Sequence, residues 1–155
     1  KEDTVYLASY AGRSKYKQFD CRECESYRNY PGYNLTGKVR WEISEGRVTG
    51  STGLNLVPLK SIAVDPTVIP YKSVIFIPEA IGTTYFNEEG VLVQHDGYFL
   101  AADTGSLIKG HHIDVYLGTG KTNPFAFVKS DEGQPFQAFV VKDEVMRERL
   151  LEMHR

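Results

Sequence analysis

The stretch 101–118, AADTGSLIKGHHIDVYLG, places one carboxylate at Asp103 and a second at Asp114, with a polar loop between them. The β-branched and aromatic residues on both sides of this loop favour strands. Alternation along the second strand puts Ile113 and Val115 on one face and Asp114 on the other. Asp103 closes the apolar first strand. We therefore expect both acids at the edge of a hydrophobic layer.

A third acid, Asp65, follows a similar apolar run in residues 61–70, SIAVDPTVIP. A carboxylate in such a setting is partly desolvated, which raises its pKa, and neighbouring carboxylates raise it further. A proton is then available near neutral pH, as a general acid requires. Each acid taken singly also has a structural interpretation, because Asp in a DP or DTG turn often accepts hydrogen bonds from its own loop.

The rest of the chain has many strand signals separated by Gly and Pro, and few helix signals. Strand residues dominate seven stretches: DTVYLASYAG, RVTGST, KSIAVDP, SVIFIPE, GVLVQHDGYFLAADTG, HHIDVYLG and PFQAFVVKD. This pattern indicates an all-β barrel or sandwich. The helical spacing of Met146, Leu150 and Met153 predicts a C-terminal helix over about 142–155. Residues 13–47, rich in Tyr, are predicted to be a long irregular insertion.

The bulk properties fit one soluble domain spanning residues 1–155. A net charge of −2, without any cluster of Lys and Arg, argues against a nucleic-acid partner. No apolar run approaches the roughly 20 residues that cross a bilayer. The first residues lack a charged-then-apolar leader, so the chain is either cytosolic or an exported protein without its leader.

Cys21 and Cys24 form a C-x-x-C pair that has three interpretations. A zinc site would need two more ligands, which could come from His95, His111, His112 or His154. A redox motif would need a βαβ context, which the pattern does not contain. A local disulfide, or two free thiols, is the interpretation that we favour, and a disulfide suits an exported protein. We predict no metal and no cofactor.

Taken together, residues 61–78 and 101–118 resemble the 3D domain, named for three aspartates. Its usual pattern is an A-V-D-P-x-x-I-P-x-x-S segment, followed by D-T-G-G-x-I-K-G-x-x-x-D. The resemblance covers roughly residues 49–119, and more weakly the first and last strands. It implies a six-stranded double-psi β-barrel, as in the membrane-bound lytic transglycosylase A family and in small secreted cell-wall proteins. The chain departs from the pattern at Ser106, where a Gly is usual, and at Tyr71–Lys72, where Leu–Gly is usual.

The resemblance also implies roles for individual residues. Asp114 matches the single catalytic acid and base of the lytic transglycosylase, Asp103 matches the acid that supports it, and Asp65 matches the first acid of the trio. Substrate binding is predicted for Thr104, Lys109, His112, Tyr33 and Trp41. The implied substrate is the peptidoglycan glycan strand, cut between N-acetylmuramic acid and N-acetylglucosamine. We accordingly expect an exported, monomeric protein of the periplasm, cell envelope or extracellular space.

Two other functions are compatible with the same barrel. One is a glycoside hydrolase that uses two acids, as in some double-psi barrel endoglucanases. The other is a non-catalytic module that binds or loosens the cell wall, as the expansin-like relatives of the barrel suggest. Fold alone does not choose among these functions.

Overall fold

The computed structural model describes residues 8–13, 39–43, 48–87, 89–118, 122–128 and 135–155. The chain divides into two compact units, Lys1–Val48 and Thr49–Arg155. In the first unit, β1 (Ala8–Arg13) pairs in antiparallel fashion with β2 (Val39–Ile43). β2 lies within the stretch 13–47, so the prediction of an irregular insertion is wrong for these five residues. Apolar and charged residues alternate along VRWEI, which is a strand pattern.

The described part of the second unit contains seven strands, one α-helix and a short 3₁₀ helix at Pro78–Ala80. The strands are β3 (Ser61–Val64), β4 (Val74–Phe76), β5 (Thr84–Phe86), β6 (Leu92–Gln94), β7 (Tyr98–Asp103), β8 (Ile113–Val115) and β9 (Phe139–Val141). The helix, α1, spans Glu144–Met153. Five strands form one sheet in the order β8-β3-β7-β4-β9, while β5 and β6 form a separate hairpin. The prediction of a mainly β protein with a C-terminal helix is confirmed.

Within the large sheet only β3 and β7 are parallel, and the other neighbouring pairs are antiparallel. Among the described strands this sheet is open, with β8 and β9 at its edges. The closed six-stranded barrel and the single-domain organisation stay predictions. The central strand β7 is the most deeply buried, since Phe99, Leu100, Ala101 and Ala102 are all inaccessible to solvent.

The hydrophobic core follows from alternation in the strands beside β7. Ile62 and Val64 of β3 are fully buried. Ile113 and Val115, which flank Asp114 in β8, are also buried, with a few per cent of their surface exposed. Phe125 contributes a large buried ring from a loop. Burial of these apolar side chains is the main source of stability for a sheet of such short strands.

The C-terminal helix α1 is held at both ends by hydrogen bonds. The Asp143 carboxylate accepts a bond from the Met146 amide (3.0 Å), which caps the first turn. At the other end His154 is completely buried; its Nδ1 donates to the Leu150 carbonyl and its Nε2 lies 2.9 Å from the Ser61 hydroxyl. The predicted helix is confirmed with slightly narrower bounds. Among the described residues, no helix is long and apolar enough to cross a membrane.

Two details of the strand prediction are wrong. The described residues of RVTGST, 48–52, do not form a strand. Thr49 makes an isolated bridge to Asn55, and the residues between these two form a turn closed by Gly50 and Gly53. β5 was not predicted, since it is short and half exposed. Between β5 and β6 the Asn87 side chain accepts hydrogen bonds from the amides of Glu89 and Val91.

Candidate active site

The three acids singled out from the sequence lie at one end of the five-stranded sheet, which we call the site end. β3 and β7 run parallel and finish there, while the antiparallel β8 begins there. Asp65 directly follows β3, and Asp103 is the last residue of β7. In the ladder, Ala63 pairs with Asp114 on one side and with Asp103 on the other. Asp114, Ala63 and Asp103 therefore form one row across three strands, which we call the acid row. With two strand spacings between them, the Cα atoms of the acids are about 10 Å apart.

The acid row faces away from the hydrophobic core. Asp114 is exposed between two buried residues of β8, which confirms the alternation predicted for this strand. Ala63 is likewise partly accessible between buried Ile62 and Val64. Because residues that pair directly across a ladder project to the same face, the small Ala63 side chain leaves open space between the two carboxylates.

An irregularity in β7 places Asp103 in the acid row. Ile62 pairs with Ala101, but the next residue, Ala63, pairs with Asp103, so Ala102 is an extra residue in the ladder. Without this bulge Asp103 would lie beside Val64, whose side chain belongs to the core. β-bulges often change the direction of a side chain next to a functional site, and this one brings the second carboxylate level with Asp114.

The turn 50–53 holds the bulge in place. The Thr52 hydroxyl donates to the Ala102 carbonyl (2.8 Å), and the Ser51 amide donates to Oδ1 of Asp103 (2.9 Å). Gly50 permits this approach, since a Cβ there would lie 2.5 Å from the Ala102 oxygen. These residues were not predicted from the sequence. The two glycines of TGSTG indicate a tight turn here, but they do not indicate which strand the turn contacts.

Asp65 is buried and fully engaged by hydrogen bonds. Its Oδ1 accepts from the Thr67 hydroxyl (2.7 Å) and amide (3.0 Å), and its Oδ2 accepts from the Gly110 amide (2.8 Å). These bonds, the Thr67 hydroxyl first among them, lower the pKa of Asp65 to about 2, and the charge of Lys109 adds to the effect. The prediction that its setting raises the pKa is wrong, because hydrogen bonds to the ionised form outweigh desolvation.

The loop 104–112 between the two acids is fixed by three anchors. Asp65 holds Gly110, the Thr104 hydroxyl donates to the Val64 carbonyl (3.0 Å), and Ile108 is buried. The side chains of Lys109 and His112 are left exposed at the surface of the loop. The Thr104 hydroxyl, predicted to bind substrate, thus has an intramolecular acceptor.

The two aromatic residues predicted to bind substrate are not placed at this site by the structure. Tyr33 lies outside the described residues. Trp41 lies in β2, and its side chain lies outside the described part of the chain. Cys21 and Cys24 also lie outside the described residues. Within the described ranges, no three His, Cys, Asp or Glu side chains are grouped in a way that could hold a metal ion.

The two carboxylates of the acid row have different surroundings. The Asp103 carboxylate accepts the Ser51 amide and is half-buried at the end of β7. Asp114 is exposed, and no donor in the described part of the chain bonds its carboxylate. An accessible carboxyl group beside a second, oriented carboxylate is an arrangement that can transfer protons to and from a ligand lying over Ala63.

Comparison with known proteins agrees with the sequence resemblance. Residues 60–124 match the family model of the 3D domain, which confirms the resemblance over this segment. The chain is 34% identical over 82 residues to a membrane-bound lytic murein transglycosylase A homolog of Buchnera aphidicola, covering 52% of this chain and 21% of that protein. It is 44% identical over 70 residues to the putative cell wall shaping protein YabE of Bacillus subtilis, covering 43% and 13% respectively.

Solved structures of lytic transglycosylases are also similar. MltA of E. coli with bound chitohexaose matches with a TM-score of 0.42 and 19% identity, over 73% of this chain and 40% of that one. LtgG of Burkholderia pseudomallei matches with a TM-score of 0.39 and 21% identity, over 74% and 41%. The chain spans 21% and 13% of the two relatives described above, and less than half of these solved chains.

Proposed function

We propose that this protein cleaves peptidoglycan glycan strands as a lytic transglycosylase, at the bond between N-acetylmuramic acid and N-acetylglucosamine. The observation that carries the proposal is the acid row, in which a bulge brings Asp103 level with the exposed Asp114 across Ala63. The match of residues 60–124 to the 3D domain and the similarity to a lytic murein transglycosylase homolog support it.

In the proposed mechanism Asp114 acts first as acid and then as base. Its proton passes to the glycosidic oxygen as the bond from muramyl C1 to that oxygen breaks, and N-acetylglucosamine leaves with a free hydroxyl. The Asp114 carboxylate then takes the proton of the muramyl C6 hydroxyl, whose oxygen forms a bond to C1. The product is a 1,6-anhydromuramyl end, water is not consumed, and Asp114 regains its proton.

The remaining acids have supporting roles in this proposal. Asp103, oriented by the Ser51 amide, adds negative charge beside the oxocarbenium-like centre. Asp65, ionised and bonded to Gly110, holds the loop that separates the two acids. Lys109 and His112 are exposed on that loop and are available to the substrate. Thr104, Tyr33 and Trp41 complete the set of proposed substrate contacts.

The two carboxylates also suit a second candidate, a glycoside hydrolase with separate acid and base. In inverting glycosidases a water molecule lies between two carboxyl groups separated by about 6.5–9.5 Å. Two acids on strands two spacings apart fit that range when their side chains lean toward each other over Ala63. The two candidates differ in product, because hydrolysis leaves a reducing end and the lytic reaction leaves an anhydro end.

The product therefore tests the proposed function. The protein is incubated with purified peptidoglycan, and the soluble fragments are analysed by mass spectrometry before and after borohydride reduction. Anhydromuramyl ends are 18 Da lighter than hydrated ends and resist reduction. We expect anhydro ends to accumulate. Reducible ends would establish the hydrolase instead, and binding to the insoluble wall without soluble product would establish a non-catalytic module.

The location, oligomeric state and complete fold of the protein are proposed together with its activity. Peptidoglycan lies outside the cytoplasmic membrane, so we propose that the protein is exported to the periplasm, envelope or exterior, in accord with the wall-related names of its relatives. We also propose that it acts as a monomer, and that the open sheet belongs to a double-psi β-barrel. The whole activity is proposed for this chain, which matches only part of each relative.

A further inference from the structure

The turn 70–73 lies beside the end of β7, on the side opposite Ala63. The Lys72 amide donates to the Ala101 carbonyl (2.8 Å), and the Ala101 amide donates to the Ser73 carbonyl (3.0 Å). Since β4 runs antiparallel to β7, this turn is at the site end of the sheet. Asp103 follows Ala101 by two residues, roughly 7 Å along the strand. The backbone of Lys72 is thus a near neighbour of the acid row.

Lys72 has an unusual backbone conformation. Its φ is +64°, in the left-handed region that residues with a Cβ rarely occupy. A non-glycine residue pays about 1 kcal/mol for this conformation, whereas glycine adopts it freely. Backbone strain of this kind is concentrated at active sites and ligand sites, where the surrounding structure holds it in place. A lysine at this position therefore calls for a role for its ammonium group.

The charge of Lys72 is available to a ligand. Within the described ranges no carboxylate forms an ion pair with it. Lys60, by contrast, is paired with Asp96, and Lys109 lies close enough to Asp65 to lower the pKa of that acid. Tyr71, next to Lys72, is 39% exposed, and an aromatic side chain is a type that packs on sugar rings.

We propose that Tyr71 and Lys72 form a subsite for a carboxylate-bearing muramyl residue, with Tyr71 against the sugar ring and the Lys72 ammonium on the carboxylate. This inference rests on the proposed action on peptidoglycan glycan strands. The carboxylate belongs either to the lactyl group of a peptide-free muramyl residue or to the stem peptide. A charge-assisted hydrogen bond from a flexible lysine stem suits both sources. The subsite also offsets the repulsion between Asp103 and an acidic substrate.

Binding measurements with an Asp114→Asn parent test the subsite without turnover. The probes are chitohexaose, which is neutral, peptide-free alternating glycan strands and peptide-bearing strands, each measured by calorimetry at low salt. We expect the parent to bind a carboxylate-bearing strand about fivefold more tightly than chitohexaose. Preference for peptide-free strands identifies the lactyl carboxylate as the ligand, and preference confined to peptide-bearing strands identifies the stem peptide.

Four substitutions in that parent locate the preference. Lys72→Asn removes the charge with a residue that tolerates a positive φ, and it should bring the affinity ratio close to one, as should Lys72→Gly. Lys72→Arg keeps the charge and should keep the ratio. Lys142→Asn is the matched control: Lys142 follows β9, one strand further from β7, so the same loss of charge should leave most of the preference.

The inference and the proposed function fail in different ways. If the parent shows no preference for carboxylates, or if Lys72→Asn retains it, the subsite is wrong even when the wild-type protein releases anhydro products. If the ratio falls in Lys72→Asn while the wild type releases no product, the subsite stands and the lytic activity is wrong. Thermal unfolding of each variant shows that changes in binding occur in folded protein.

Discussion

The two ends of the five-stranded sheet both carry ionisable residues, but they use them differently. At the site end, Asp114 is exposed and Asp103 accepts a bond from one backbone amide. At the opposite end, which we call the far end, Lys60 is only 6% exposed and its ammonium bonds Asp96 and the Tyr98 carbonyl. Oδ2 of Asp96 also forms an ion pair with the Arg149 guanidinium, at 3.4 Å. Burial lowers the pKa of Lys60, and its hydrogen bond with Asp96 works in the opposite direction.

His95 completes the far end and is itself buried, at 1% exposure. Its Nε2 donates to the Leu59 carbonyl and its Nδ1 accepts from the Gly97 amide, both at 2.9 Å, so the ring is neutral. The ring stacks on Phe99 and meets the edge of Phe125. Burial, assisted by the charge of Lys60, lowers the pKa of His95 to about 4.

The comparison suggests different roles for the two ends: the far end contributes to stability, and the site end contributes to the proposed activity. Buried polar groups are tolerated only when their hydrogen bonds are satisfied, and Lys60 and His95 at the far end meet that condition with partners inside the protein. At the site end Asp114 stays accessible, and the hydrogen bonds of Asp103 and Asp65 fix the neighbouring loops. Changes at the site end should therefore affect activity beyond any change in stability, and changes at the far end should affect stability alone.

The largest effect is expected for Gly50→Ala at the site end. The new Cβ would lie 2.5 Å from the Ala102 oxygen and 2.7 Å from a Leu56 methyl, so the turn must move off the bulge. We expect a loss of about 2 kcal/mol in the free energy of unfolding. A shift of Asp103 of about 1 Å should also lower activity per folded molecule about 100-fold. Urea unfolding and the release of soluble glycan measure the two effects.

Gly53→Ala is the matched control for this substitution. Gly53 belongs to the same turn, but a Cβ there meets no atom within 4 Å. Its φ of +77° makes alanine cost about 1 kcal/mol of stability, and activity per folded molecule should be unchanged. Equal activity losses in the two variants would show that the turn, and not the bulge, determines activity.

At the far end, His95 should make stability depend on pH. Its pKa is about 4 when folded and near 6.5 when unfolded, so the unfolded chain binds more protons between these values. The stability that His95 provides is complete above pH about 6.5 and is lost as the pH falls toward 4. We expect a loss of about 2–4 kcal/mol over this range, measured by urea unfolding at a series of pH values.

His95→Gln is the variant that isolates this contribution. Glutamine can donate and accept hydrogen bonds but does not titrate, so the part of the pH dependence between 6.5 and 4 should flatten. Activity per folded molecule at neutral pH should match that of the wild type. An unchanged slope in the variant would contradict the assignment of this pH dependence to His95.

The smallest effect is a gain in stability from Lys72→Gly. Glycine relieves the positive φ of this residue, and the entropy that glycine loses on folding offsets part of the gain. We expect the free energy of unfolding to rise by about 0.5 kcal/mol. Lys109→Gly serves as a control, because Lys109 is not among the residues with positive φ, and it should lower stability or leave it unchanged. A loss of stability in Lys72→Gly would contradict the claim that the positive φ of Lys72 strains the backbone.

Much of the fold could be predicted from local pattern. The strands around Asp65, Asp103 and Asp114 have apolar alternation or apolar runs, and the tail has helical spacing and an Asp cap. β5 is short and exposed, so it has little apolar pattern to detect. RVTGST has strand residues, but its glycines close a turn, and turn geometry prevails over propensity there.

The sequence singled out the three acids of the candidate site, but it could not predict their geometry. The three acids follow from the order of the motif, whereas the bulge at Ala102 depends on Thr52 and Gly50, about 50 residues earlier in the chain. The pKa of Asp65 likewise depends on the Gly110 amide, 45 residues away. Desolvation can be anticipated from apolar neighbours in sequence, but hydrogen bonds between distant segments arise only when the chain folds.

The central claim is that Asp114 transfers the proton and that Asp103 supports it, and one comparison tests it most directly. Formation of anhydromuramyl ends is measured for the wild type, Asp114→Asn and Asp103→Asn, all confirmed to be folded. We predict that Asp114→Asn lowers the rate at least about 1,000-fold and Asp103→Asn only about 10- to 100-fold. An Asp114→Asn variant that keeps wild-type activity, or a larger loss in Asp103→Asn, would contradict the assignment.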